Sequence, residues 1–355
     1  MNLITKPDFD MCAKRMEAFW NRAVLDRPFI QVTAPKPESV PLPVSRHDSL
    51  RARWLDADFA VDRALAFTEN IYWGADAIPM FFPNLGPEVM STAYGAELDF
   101  SERTSWSHPV LQDWDRLESL SFNPNSFYIS KILEIMRCGL ERGRGRFITG
   151  ITDIHPGGDL AASLRNPQDF CIDLLDSPEL VERLLVKIQP DFQRFYDLQY
   201  QVMLQMGQTV TTTWATFFTE GRYYVPSNDF SCMVSPELFE RFFLSRLAEE
   251  CTFLDRSVYH LDGPNALPHL PAILSIADLD AVQWVYGEGH GPARRWIPVY
   301  QQIQAAGKGL QVCGCTLDDL DDLMANLRPE GVALTGGCHS IAEADAFIRK
   351  ASQWS

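Results

Sequence analysis

Side chains that bind metal ions or transfer protons follow several apolar runs of the sequence. His260 and Asp262 lie at the end of the run 257–261, and Cys338 follows the run 331–334. Imidazole nitrogen, thiolate sulfur and carboxylate oxygen are all zinc ligands, and a catalytic zinc site keeps one position open for substrate. In one interpretation these three side chains surround a metal ion that acts as a Lewis acid. In the other, His260 and Asp262 hydrogen-bond a substrate and Cys338 is a packed thiol.

Other candidates for acid–base chemistry occupy similar positions. Glu288 and His290 alternate with glycines after one apolar run, and Asp153 and His155 lie at the end of another. Because Glu, Asp and His carry out most proton transfers in enzymes, we predict Glu288, Asp153 and His155 as catalytic residues. His290 is predicted as a substrate contact. A solvated loop is the alternative explanation for Glu288 and His290.

A polar and aromatic segment begins within the run 209–217 and continues beyond it to Tyr224. Trp214, Arg222 and Tyr223 are its predicted substrate-binding residues. Aromatic faces pack on flat ligands, and an arginine binds a carboxylate through two parallel hydrogen bonds. Core threonines and surface tyrosines are the alternative explanation of this segment.

The elements that must position these side chains are short, nearly continuous apolar runs, which are typical of parallel strands buried on both faces. Eight such runs occur: Phe29–Ala34, Ala75–Phe82, Phe147–Ile154, Thr209–Phe217, Ser257–Leu261, Ala281–Tyr286, Gly309–Val312 and Gly331–Leu334. Most are followed by a helix-like segment, so we predict an α/β fold, a (β/α)8 TIM barrel. In such a barrel the loops after the strands meet at one face, where function is expected.

The 355 residues are predicted to form one domain, 1–355, in which residues 1–28 are an N-terminal helical extension. Helix-like patterns cover 50–70, the Ser-Pro-Glu sequences at 177–179 and 235–237 predict helix starts, and 87–124 is a long insertion of the kind that forms lids or subunit contacts. A net charge of −16 argues against a nucleic-acid partner. No membrane span or signal peptide is expected, so we predict a cytoplasmic protein with its eight cysteines as thiols. The composition leaves both a monomer and a homodimer open.

Four segments carry a family resemblance: Asp176–Val181 (DSPELV), Met233–Phe239 (MVSPELF), Tyr259–Gly263 (YHLDG) and Gly336–Cys338 (GGC). With these segments the chain resembles the uroporphyrinogen decarboxylase superfamily, and more closely its cobalamin-dependent methyltransferase branch. The resemblance covers the second half of the chain best, and it implies one barrel with the active site at the carboxyl ends of the strands. It also implies a zinc site: His260 and Cys338 match two family ligands, and Asp262 stands where the family has a cysteine.

The resemblance implies an enzyme that moves a methyl group between a small substrate and a corrinoid on a separate protein, with a zinc-activated heteroatom. The expected partners are therefore a small-molecule methyl donor or acceptor and a corrinoid protein. Two alternatives stay open at this point. One is a metal-free decarboxylase or lyase of the same superfamily that uses Asp153, His155, Glu288 and Arg222, and the other is a non-catalytic barrel that binds a corrinoid or tetrapyrrole.

Overall fold

Helices and strands alternate along most of the chain. The structure, a computed structural model, describes residues 3–354, so residues 1, 2 and 355 of the predicted domain lie outside the described range. The strands in this range are β1 (Phe29–Pro35), β2 (Ile71–Ala75), β3 (Met80–Phe81), β4 (Leu98–Phe100), β5 (Ser105–Ser107), β6 (Ile148–Thr149), β7 (Val210–Thr212), β8 (Phe218–Glu220), β9 (Tyr223–Tyr224), β10 (Arg256–Asp262), β11 (Ala281–Val285), β12 (Gly309–Val312) and β13 (Val332–Gly337).

The helices surround these strands. They are α1 (Phe9–Trp20), α2 (Leu50–Leu55), α3 (Ala57–Asn70), α4 (Phe127–Arg142), α5 (Gly157–Arg165), α6 (Pro167–Asp176), α7 (Pro178–Gln205), α8 (Pro236–Phe239), α9 (Ser245–Phe253), α10 (Leu270–Leu274), α11 (Ile297–Ala305), α12 (Leu320–Asn326) and α13 (Ile341–Ala351). Within residues 3–354, no helix combines the length and apolar character needed to cross a bilayer.

A mostly parallel sheet is the centre of this α/β fold. Its strand order is β2-β1-β13-β12-β11-β10-β9, and every pairing in it is parallel except that of β1 with β2. Three further pairs are β3 with β6, which is parallel, and the antiparallel pairs of β4 with β5 and β7 with β8. Parallel order places the carboxyl ends of the long strands at one edge of the sheet.

Each predicted apolar run contains a strand, and the helix-like pattern over 50–70 forms α2 and α3. Helices also begin at Pro178 and Pro236, as the Ser-Pro-Glu sequences predict. The antiparallel strand β2 was not predicted. It follows α3 without a break, and its Ile-Tyr-Trp sequence has the β-branched and aromatic side chains that favour strands.

An apolar cluster joins the amino ends of the strands to α1. Phe9, Cys12, Met16, Phe19 and Trp20 are the buried residues of that helix, and their spacing places them on one face. They pack against residues near the start of strands from several sheet pieces, namely Phe29, Ile148, Val210, Val258, Ala281 and Ala333. Helix α1, which lies in the predicted N-terminal extension, is thus part of the core.

Trp20 tests this role of α1. Its side chain is 1 % exposed, and its indole Nε1 donates to the main-chain oxygen of Phe218 at 3.1 Å. We expect Trp20→Ala to lower the free energy of unfolding by about 3–5 kcal/mol, because it leaves a cavity in the core. Urea unfolding of the variant beside Met11→Ala, which changes an exposed residue of the same helix, measures the difference. An equal loss of unfolding free energy in the two variants would contradict the core position of Trp20.

Candidate functional site

Two metal-compatible groups of side chains lie at the carboxyl ends of the strands and share one carboxylate. Among residues 3–354, the groups are Asp229 with His260 and Asp262, and Asp229 with His155 and Asp159. In each group, one ligand atom from every residue lies within 4.8 Å of those from the other two. One nitrogen and two carboxylate oxygens form a donor set that suits zinc and similar divalent ions.

The strands and one short helix position the first group. His260 and Asp262 belong to β10, in which they are separated by one residue and so project from the same face of the strand. Asp229 begins the short 3-10 helix Asp229–Met233, which packs against β10. The main-chain nitrogens of Asp229 and Phe230 donate to the Asp159 carboxylate at 3.0 and 2.7 Å, which fixes the start of this helix.

The second group surrounds His155 with carboxylates. Its Nε2 lies 3.2 Å from Oδ1 of Asp153, and its Nδ1 lies 3.4 Å from Oδ2 of Asp159 and 3.8 Å from Oδ2 of Asp229. Burial alone would favour the neutral ring, but the charges and hydrogen bonds of Asp153 and Asp159 outweigh it and raise the pKa of His155 well above its usual value. These carboxylates therefore favour the imidazolium form of His155 when no cation is bound.

The negative charge of Asp229, the carboxylate that both groups share, is only partly balanced by its surroundings. Burial and the nearby charge of Asp159 raise the pKa of Asp229 to about 6, although His155 and His260 oppose this shift. Its Oδ1 is buried and has no hydrogen-bond partner in the structure. A carboxylate in these surroundings gains stability from a proton or a bound cation.

His260 is held on two sides. Its Nδ1 lies 2.5 Å from Oε1 of Gln283, and the indole ring of Trp214 meets the imidazole edge to face at a centroid distance of 5.0 Å. Gln283 in turn donates to Gln311 at 2.7 Å, and the Gln311 amide donates to the Thr335 hydroxyl at 3.5 Å. These residues belong to neighbouring strands, β10 to β13, so a row of polar side chains crosses the sheet beside the first group.

A cavity of about 280 Å³ opens beside the second group. It is lined by His155, Asp159 and Asp229 on one side and by Pro87, Glu88, Met90 and Ser91 on another. The latter four residues come from the predicted insertion 87–124, which therefore contributes one wall of the cavity. Such a volume accommodates a small molecule next to the carboxylates.

The other predicted site residues lie outside these two groups. Glu288 and His290 are exposed in the loop after β11, on the same side of the sheet as His260. Cys338 follows β13, where its main-chain nitrogen donates to the oxygen of Thr33. Burial and the charge of Glu343 raise the pKa of the Cys338 thiol. Cys338 belongs to neither of the two metal-compatible groups found among residues 3–354.

Arg222 and Tyr223 lie at the opposite end of the strands. The start of β10 pairs with β9 there, and the Arg222 main chain accepts hydrogen bonds from Asp255 and Arg256. The Arg222 guanidinium lies 3.3 Å from Asp197 and over the ring of Phe253. Tyr223 is buried against Trp20. We therefore leave both residues out of the site proposed below, whereas Trp214 remains in it.

The sequence reasoning missed Asp159, Asp229 and the two glutamines. Gln283 and Gln311 are single polar residues in the middle of buried strands, and that interruption of an apolar run is a signal that points to an inward polar layer. Asp159 and Asp229 follow no strand directly. Only the tertiary packing of α5 against the 3-10 helix brings them to the strand ends.

Comparison with known proteins identifies the fold but not a family. No protein-family model matches the sequence, and no curated protein matches it either. The structure is similar to a solved methyltransferase from Methanosarcina mazei, with a TM-score of 0.58, 16 % sequence identity, and coverage of 96 % of this chain and 98 % of that one. At this identity the similarity establishes a shared fold, and function has to be argued from the site.

A buried acid behind the site predicts a pH-dependent stability. Glu250 of α9 is 3 % exposed and its Oε2 has no partner, and burial, with the charge of Asp159, raises its pKa well above 4.5. The unfolded chain releases this proton at lower pH than the folded chain, so stability falls as the pH rises above about 4.5, until the folded pKa is passed. We expect Glu250→Gln to raise the Tm by a few degrees at about pH 8, and by less at about pH 5.

Thermal unfolding at the two pH values measures this gain, with Glu249→Gln as the control because Glu249 is the exposed neighbour on the same helix. A gain for Glu250→Gln that is equal at both pH values would contradict a proton held on Glu250 in the folded protein.

Proposed function

We propose that this protein is a metal-dependent, methyltransferase-like enzyme. It moves a methyl group between a small substrate and a corrinoid that a separate protein carries, and its catalytic centre is the group of Asp229, His260 and Asp262. The single observation that carries the proposal is the convergence of these three side chains at the carboxyl ends of parallel strands. The shared fold with a methyltransferase and the sequence resemblance around Tyr259–Gly263 support the choice of reaction.

The donor set fits zinc. It provides one imidazole and two carboxylates, and the Oδ1 of Asp229 has no other partner. A zinc ion held there would act as a Lewis acid that lowers the pKa of a substrate thiol or alcohol. Asp262 is exposed at the end of β10, so the group is accessible from solvent. Cys338 remains the ligand that the sequence predicts, and we treat it as an alternative to Asp229.

The protein's own residues bind the substrate and manage its proton. The cavity lined by His155, Asp159 and Asp229 holds the small substrate next to the metal-binding group. Asp153 and Asp159 hold His155 in place, and a proton shared between the ring and these carboxylates would pass to a substrate group or leaving group in the cavity. Trp214 packs on His260 and covers one side of the site. Glu288 and His290, on the exposed loop after β11, remain candidates for proton transfer and substrate contact.

We also propose that the sheet pieces close into a (β/α)8 barrel. The apolar cluster at the amino ends supports closure, because inward residues of β1, β6, β7, β10, β11 and β13 pack together within it. A main-chain hydrogen bond from Ile151 nitrogen to Thr212 oxygen at 2.9 Å connects the β3–β6 pair to the β7–β8 pair. A closed barrel brings the ends of all its strands to one mouth.

A metal-free decarboxylase or lyase is the second candidate function. The observation in its favour is the group of His155 with Asp153 and Asp159, which can hold and transfer a proton beside a small cavity. This function needs no cation, so the same metal measurement separates the two candidates.

The metal content of the protein, expressed without a histidine tag, is the first test. We expect about one zinc per chain in the parent, lost in His260→Ala and in Asp229→Asn, because three protein ligands are the usual minimum for a catalytic site. His108→Ala is the matched control, since His108 pairs with Asp99 at 2.8 Å on an exposed hairpin. A parent without zinc, or equal zinc in all variants, would exclude this ligand set.

Cys338→Ala decides between the two ligand sets. If Asp229 is the third ligand, the variant keeps its zinc, and if Cys338 is the third ligand, as the sequence predicts, the variant loses it. Intact folding of each variant is checked by its thermal unfolding.

The reaction is tested with the zinc-loaded protein and methylcob(III)alamin or cob(I)alamin. We expect methyl exchange with at least one member of a panel of thiols, methoxy compounds and methylamines, and a loss of about a hundredfold or more in His260→Ala. The absence of exchange with every compound, from protein that retains zinc, would refute the methyltransferase proposal and leave the metal site standing.

A further inference from the structure

The row of polar side chains beside His260 is almost entirely buried. Gln283 is 4 % exposed and Gln311 is 3 % exposed, and both lie in strands whose other residues are apolar or small. Burying two primary amides is costly unless their donors and acceptors are satisfied. Here each amide bridges its two neighbours in the row, from His260 through Gln283 and Gln311 to Thr335.

The end of this row at Thr335 determines its direction. The Thr335 hydroxyl donates to the main-chain oxygen of Val312 at 3.1 Å, and a carbonyl oxygen can only accept. A hydroxyl has one hydrogen, so towards Gln311 the Thr335 oxygen can only accept. The Gln311 amide must therefore present its NH2 group to Thr335 and its oxygen to Gln283.

The same reasoning passes along the row to the imidazole. Because Gln311 presents its oxygen, Gln283 must present its NH2 group there and its Oε1 to His260. An oxygen that faces Nδ1 at 2.5 Å requires a hydrogen on that nitrogen. The neutral His260 ring is then protonated at Nδ1 and has its lone pair at Nε2.

We propose that Gln283 and Gln311 are positioning residues that hold neutral His260 in its Nδ1–H tautomer. The Val312 oxygen fixes the hydrogen-bond direction at Thr335, and this sets the orientation of the two glutamine amides. Nε2 of His260 is then the nitrogen that binds a cation or accepts a proton. The tautomer itself follows from the hydrogen bonds alone. Its consequence for metal binding rests on the function proposed above, and outer hydrogen bonds of this kind orient histidine ligands in metal sites.

Nitrogen-15 NMR of protein labelled at histidine measures the tautomer directly. The chain has seven histidines, and His260→Ala assigns the signals of His260. Spectra are taken about two pH units above the ordinary histidine pKa, where unperturbed rings are neutral. His155 has carboxylates at both ring nitrogens, which raise its pKa, so we expect its ring to stay protonated and its signals to be distinct. We expect the parent His260 to show a protonated Nδ1 and an unprotonated Nε2.

Three variants separate positioning from packing. Gln283→Met keeps the length of the side chain and removes the acceptor, so we expect His260 to lose its pure Nδ1–H form. In Gln283→Glu both terminal atoms of the side chain are oxygens, so an acceptor faces Nδ1 of His260 in either orientation. We therefore expect this variant to show the parent tautomer. Gln311→Met lets the Gln283 amide turn over, so a mixture of tautomers is expected. Thermal unfolding of each variant confirms that it folds.

Metal affinity provides the second measurement. In the metal-free protein titrated with zinc, we expect Gln283→Met to weaken binding by about 10–100-fold and Gln283→Glu to bind at least as well as the parent. A parent with hydrogen on Nε2, or a Gln283→Met variant that keeps the pure Nδ1–H tautomer, would overturn the inference. If the parent binds no zinc, the metal proposal fails, and the NMR result still decides the role of the row.

Discussion

The alternation of side chains along a buried strand is the constraint on which the site depends. In β10, β11 and β12 every second residue packs outward against the helices, for example Tyr259, Val282 and Leu310. The residues between them point the other way, and two of these, Val258 of β10 and Ala281 of β11, join the apolar cluster on α1. The next inward residues are His260, Gln283 and Gln311. The amino end is thereby filled with apolar groups, and the first available layer for polar chemistry lies above it.

That polar layer is stable only because its members satisfy one another. Strand β1 also has a hydrogen-bonded glutamine, because the Gln31 amide donates to the main-chain oxygen of Thr216 at 2.9 Å. A polar group left without a partner in such surroundings costs about 1–3 kcal/mol. Satisfied networks also restrict rotamers and protonation states, so the layer that supports His260 limits the ways in which its ring can face the carboxylates.

The carboxylates near His155 and His260 bring an excess of negative charge to the site. Asp229 lies between His155 and His260 and belongs to both metal-compatible groups. In the absence of a cation, the His155 imidazolium offsets part of this charge. A divalent ion bound to Asp229, His260 and Asp262 would offset it on the other side. The two arrangements are compatible because His155 approaches Asp229 through Oδ2 at 3.8 Å, whereas Oδ1 has no partner.

The local sequence pattern predicts most of the strands, but it does not predict all the residues of the candidate site. The apolar runs located strands at each predicted place, and the residues that end β10 and follow β6 were predicted as site residues because strand ends carry function in α/β folds. Asp229 was not predicted from the sequence, because it is positioned by a 3-10 helix whose start is fixed by hydrogen bonds to Asp159. Arg222 was predicted near the site, but β9 pairs with the start of β10 and places it at the other end. Both depend on contacts between distant segments, which local pattern does not encode.

X-ray absorption spectroscopy at the zinc edge of the zinc-loaded parent protein tests the central claim most directly, since it reports the atoms bound to the ion. The account predicts only nitrogen and oxygen neighbours at about 2.0–2.2 Å, from His260, Asp229 and Asp262. A sulfur neighbour at about 2.3 Å would contradict it and would place a cysteine, with Cys338 the first candidate, in the ligand set.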